Sequence, residues 1–124
     1  NVGTSRHYGL EAFAELDAGR ARRAALGARP SGTAVTTVFT SLGRTVATYV
    51  RGPAAGRQVE HAPDWVVRAG LTHARRDAAS PARGDRWRGT LQASHVGSAY
   101  SDASNTLAQP NGLQGVIPAY TVWD

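Results

Sequence analysis

Four histidines, His7, His61, His73 and His95, are the first residues to weigh, because imidazole is the commonest metal ligand and general base. None shares an element with a second histidine at ligand spacing, so solvated or hydrogen-bonded rings are expected. Ser94 and His95 are adjacent, but neighbours on a strand point to opposite faces, so they cannot form a nucleophile and base pair, and Asp102 does not repair that. Glu11 and Glu15 fall on one face of an extended segment, about 13 Å apart at strand rise, too far for paired carboxylate catalysis. No phosphate loop, dinucleotide fingerprint or nucleophile elbow is present. The expectation is a protein that is not an enzyme, with no catalytic residues, no metal site and no cofactor.

The arginines remain. Arginine offers a rigid fork of donors matched to carboxylate and phosphate, and Arg51 and Arg57 in a long connection, with Arg68, Arg86 and Arg88 on polar strand faces, are placed to meet an anionic ligand. The ligand-binding candidates are Arg51, Arg57, Arg68 and Arg88. All fourteen basic residues are arginine, giving a net charge of +5. They are dispersed, with local clusters only at Arg20, Arg22, Arg23 and at Arg75, Arg76, which weakens a nucleic-acid reading. The absence of cysteine excludes disulfides and thiolate metal sites. No run approaches the roughly 18 apolar residues of a membrane helix, whereas a membrane strand needs only about 9 to 11 alternating ones. With no methionine and no leader pattern at Asn1, an internal or processed segment of a longer protein is expected.

The elements that must carry these residues are extended. Tyr8, Leu10, Ala12, Ala14 and Leu16 alternate with Glu11, Glu15 and Asp17, with Phe13 also on the acidic side, the period of a strand with one apolar face. Residues 18–32 read as a connection holding a small Arg-Ala helical patch. Residues 33–50 are rich in Thr, Val, Phe and Tyr, and form one long strand or two joined at Leu42-Gly43, without a readable face pattern. From 64 to 75, Trp65, Val67, Ala69 and Leu71 oppose Arg68, Gly70 and Thr72, with Val66 as the exception. After a turn at 76–85, a strand to Ala99 sets Trp87, Gly89, Leu91 and Ala93 against Arg86, Arg88, Thr90 and Gln92. Connections 51–63 and 101–118 are long and rich in Gly, Pro and Asn, and Pro118 suits entry to a last strand holding Tyr120 and Trp123. The fold class is therefore all-β, an antiparallel up-and-down meander of about five to six strands.

Three fragments of this meander resemble one family. NVGTSRHYGLEAF is similar to the Asn-x-Gly and Gly-x-Glu signature of TonB-dependent outer-membrane receptors, here Asn1, Gly3, Gly9 and Glu11. GRQVEHAPDWVVRAGLTH resembles their strand entry with Gly56 and Pro63, and YSDASNT followed by GVIPAYTVWD resembles a segment shortly before the barrel end, nearest to receptors of the ferric citrate type. The resemblance implies that residues 1–124 are part of a transmembrane barrel of about 22 strands, with the plug domain and last strands outside the chain. It further implies bacterial outer-membrane location, outer-membrane lipid around the barrel, uptake of a ferric siderophore or ferric citrate-like chelate, and energy from the TonB complex through the missing N-terminal region. Residues 18–32 and 76–85 would be periplasmic turns, and 51–63 and 101–118 extracellular. The length of 18–32 is the poorest fit.

The competing reading is a soluble basic β-domain that binds nucleic acid or another anionic partner. It needs aromatics on the arginine faces for base stacking, and Trp65 and Trp87 fall on the apolar faces instead. No nucleic-acid partner is therefore expected. A third is a structural β-module of the adhesin kind, with no ligand.

Overall fold

A computed structural model describes residues 3–27, 34–76, 86–108, 112 and 114–124. Strands β1 (Thr4–Asp17), β2 (Ala34–Arg51), β3 (Trp65–Arg76), β4 (Arg86–Val96) and β7 (Tyr120–Trp123) form one sheet in the order β1-β2-β3-β4-β7. Two short strands, β5 (Ala99–Tyr100) and β6 (Val116–Ile117), pair antiparallel as a second sheet. The expected all-β meander is what the chain adopts. The run expected as one strand or two proves to be one, Ala34–Arg51, 18 residues long and continuous through Gly43. The expected turn at 76–85 lies, past Arg76, outside the described residues.

The helical patch expected within 18–32 is present, and two later boundaries differ from the sequence expectation. The connection 18–32 opens with a helix, α1 (Ala18–Ala25), because Asp17 caps it, its Oδ1 accepting from the Arg20 N–H at 2.8 Å. Gly27, at φ 61°, then ends it in the left-handed conformation that glycine takes without strain. The remainder of that connection, 28–32, lies outside the described residues. The last long strand stops at Val96 rather than Ala99: Gly97 still donates to the Trp65 carbonyl at 2.8 Å, after which Ala99 and Tyr100 pair with Ile117 and Val116. The 101–118 connection thus contains a strand of its own.

Two compact units are distinguished. One comprises Asn1–Ala12, Leu42–Val67 and Ser94–Val122, the other Phe13–Ser41, Arg68–Ala93 and Trp123–Asp124. In the first, the buried residues are small or hydrogen-bonded: Ala47 at 2% exposure, Tyr49 at 5%, Ala54 and Ala99. In the second, the register of β3 on β4 is fixed by the Thr72 and Thr90 hydroxyls, 3.1 Å apart, and by Gln92, which lies against Gly70. That register sets Arg68, Gly70, Thr72, Arg88, Thr90 and Gln92 on one polar face and Trp87 with His73 on the other, their rings 5.1 Å apart. Among the described residues no helix is long and apolar enough to cross a membrane, which says nothing of strands.

Candidate functional site

The site is built from the end of β2 upward. Gly52 at φ 98° and Gly56 at φ 84° let the chain reverse in a tight turn, with Ala55 N–H donating to the Gly52 carbonyl at 3.1 Å and Arg57 N–H to that of Ala54 at 3.0 Å. The chain then runs back along β2: Tyr49 N–H donates to Arg57 O at 2.9 Å, Gly56 N–H to Tyr49 O at 2.8 Å, and Val59 N–H to Ala47 O at 2.9 Å. The supposed long loop 51–63 is therefore a hairpin tip with a short return.

That return is clasped by the second connection. Gln58 N–H donates to Asn105 Oδ1 at 2.7 Å while Asn105 Nδ2 donates back to Gln58 O at 2.8 Å, so one amide side chain completes a backbone pair that a strand would otherwise supply. His61 N–H adds a bond to Tyr100 O at 2.8 Å, and Gln58 Nε2 reaches Ala62 O and Asp64 Oδ1. Asn105 is presented by an Asx turn in which Asp102 Oδ1 accepts from Ser104 N–H at 2.8 Å and Thr106 hydroxyl at 3.1 Å. The other Asp102 oxygen, Oδ2, is buried with no hydrogen-bond partner among the described residues. Ser101 closes the loop base, its Oγ accepting from Gly115 N–H and its N–H donating to Gly115 O.

Tyr49 and Glu60 tie the hairpin to this clasp through a 2.7 Å hydrogen bond, the phenol donating to Oε2. That bond is the main reason the Glu60 carboxyl sits below its ordinary value of 4.5, with a backbone hydrogen bond second. A depressed carboxyl pKa stabilises above the unfolded value and the contribution disappears as pH falls through the folded one. Glu60 is thus expected to hold the hairpin at neutral pH and release it in acid. Carboxyl NMR of Glu60 should give a titration midpoint below the free-acid range, and Tyr49→Phe should move it upward; an unmoved midpoint would show that the phenol is not the cause.

The arginines separate into two sets. Arg51 and Arg57 flank the hairpin tip and are exposed. Arg68 and Arg88 are exposed on the polar face of β3 and β4, but the β3–β4 register places them six residues apart along the strands, about 20 Å at strand rise. At that separation Arg68 and Arg88 cannot grip one small anion together. Arg44 is on the apolar face, its guanidinium 4.9 Å from the centre of the Trp65 ring. Three of the four histidine rings are hydrogen-bonded rather than clustered: His73 Nδ1 to Thr36 Oγ1 at 2.7 Å, His95 Nδ1 to Thr121 Oγ1 at 2.9 Å, His7 Nε2 to Ser5 Oγ at 3.1 Å. Among the described residues no three His, Asp or Glu side chains could hold a metal ion.

No local pattern in the sequence marks Gln58, Tyr49, Glu60 or Asn105 as partners, because Gln58 and Asn105 meet across 47 positions and Tyr49 and Glu60 across 11. The one signal was the Asp102-Ala103-Ser104-Asn105 run, which predicts an Asx turn. A family model described as TonB dependent receptor-like, beta-barrel, matches residues 1–124. No curated protein and no solved structure matches the chain.

Proposed function

The chain belongs to the TonB-dependent receptor family of β-barrels, proteins of the bacterial outer membrane, and from that membership we propose that it is a partial barrel domain of a receptor that takes up a ferric siderophore or ferric citrate-like chelate. The family is one of transporters, and the chain performs no catalysis of its own in this reading. The observation that carries it is the pairing of an antiparallel sheet, apolar on one face and polar on the other, with a family match over every residue. A barrel in lipid needs that alternation, apolar outward and polar inward.

In this reading the clasped connections 51–63 and 101–118 face the outside, and Arg51 and Arg57 at the hairpin tip meet the anionic chelate first. Arg68 and Arg88, on the polar face of their own strands, are separate candidate contacts for such an anion.

Growth of iron-limited cells with and without the gene, supplied with ferric citrate or other chelates, tests the substrate class. Loss of growth on one chelate alone identifies the ligand, and equal growth on all of them rejects iron uptake. In the full-length receptor, Arg51→Ala/Arg57→Ala should weaken chelate binding about tenfold or more, since a charge-assisted hydrogen bond contributes roughly 1.5–3 kcal/mol. Unchanged binding in a titration would remove both residues from the site.

A further inference from the structure

We propose that α1 (Ala18–Ala25) is a membrane-surface foot that binds the phosphates of anionic phospholipid headgroups through Arg20 and Arg22; this rests on the reading of the chain as part of an outer-membrane barrel whose 18–32 connection lies on the periplasmic side. Barrel strands on that side are usually joined by short turns. Here the connection contains a capped helix instead, and nothing in receptor binding accounts for it.

An eight-residue helix is too short to be stable in water by itself. In soluble proteins such a helix is held by burying one face, yet no residue of α1 is buried. At about 100° per residue, Ala21, Ala24 and Ala25 share one arc with Arg20 and Arg22 on its two flanks, and all five are exposed. Leu16, just before the helix, is 57% exposed, and Leu26, just after it, 68%. Arg23 differs, because its guanidinium folds back over Gly19 beside the Asp17 carboxylate.

The occupant follows from position and charge. β1 carries Ala14 and Leu16 on its apolar alternation and runs directly into α1 through Asp17. A helix leaving a lipid-facing strand lies at the boundary between hydrocarbon and headgroups. There the Ala and Leu positions settle onto the acyl region, and the flanking guanidinium groups reach outward to phosphate. Arginine forks bind phosphate oxygens in pairs, and basic residues near an anionic leaflet each add to surface attraction.

The test uses the full-length receptor inserted in vesicles of phosphatidylcholine alone and in vesicles of phosphatidylcholine mixed with phosphatidylglycerol, with amide hydrogen exchange read on residues 18–26. Exchange should be about tenfold slower in the anionic vesicles. Arg20→Gln/Arg22→Gln should erase that difference, and Arg23→Gln should retain it. Equal exchange of the wild type in both compositions, or a difference that survives Arg20→Gln/Arg22→Gln, overturns the foot. A receptor that inserts in neither vesicle overturns the barrel reading on which the foot depends, so the two failures are told apart by protease resistance of the barrel.

Discussion

Gly70→Val in the full-length receptor is expected to lower the yield of folded barrel. Gly70 lies under the ring of Phe39 with Gln92 beside it: a Cβ there would meet Phe39 Cε1 at 2.8 Å and Gln92 Cβ at 2.9 Å. The first could be relieved by swinging the ring; the second is close to backbone and cannot move without shifting β4. Overpacking of this kind costs about 1–3 kcal/mol, and valine adds two methyl groups beyond the Cβ. The arrangement also explains why an aromatic sits on the polar face: Phe39 covers a glycine whose missing side chain would leave the backbone bare. Urea unfolding and heat-dependent gel mobility check the expectation, and Gly70→Val/Phe39→Ala should recover part of the loss. A Gly70→Val barrel as stable as the wild type would mean that the three strands do not approach this closely.

Asn105→Ala is the second large effect, and it falls on the loops rather than the wall. The substitution deletes both hydrogen bonds to the Gln58 backbone, leaving a part-buried N–H and C=O without partners. It also puts alanine at φ 52°, a conformation asparagine tolerates better. The combined cost is about 1–3 kcal/mol of local stability. Amide exchange at Gln58 should accelerate roughly tenfold to a hundredfold. Asn105→Gly relieves the backbone conformation alone and should recover only the smaller part. If exchange at Gln58 is the same in the alanine variant, the clasp is not what orders the hairpin. Chelate binding measured on the same variants asks whether Arg51 and Arg57 depend on that order.

The strand faces were legible where one face is strongly apolar. In β3 and β4, Trp65, Val67, Ala69, Leu71 and Trp87, Leu91, Ala93 alternate with arginine, threonine and glutamine, and the structure keeps that division. β2 was not legible, because Thr and Val recur on both of its faces. Its faces are settled by partners on β3: Phe39 lies over Gly70 on one side, and Thr36 meets His73 and Arg44 meets Trp65 on the other. The long connections were visible as Gly, Pro and Asn-rich runs. Their internal order was not, since Gln58 and Asn105 pair through space and neither residue has a distinctive neighbourhood. The α1 patch could be seen as Ala and Arg, and its cap at Asp17 closes what sequence periodicity left vague.

For the site, residue types alone pointed to arginine as the anion-binding chemistry and excluded thiolate or paired-histidine metal centres. They could not say which arginines act together, because strand parity places Arg68 and Arg88 on one face without fixing how far the register separates them. The sequence by itself determined an antiparallel meander with alternating faces, since period-two patterning is local and survives without knowledge of neighbours. Only the tertiary structure decided the face of β2, the end of β4 at Val96 and the clasp of the two loops. Each of those depends on a contact between residues far apart in the chain, and a local pattern carries no record of its partner.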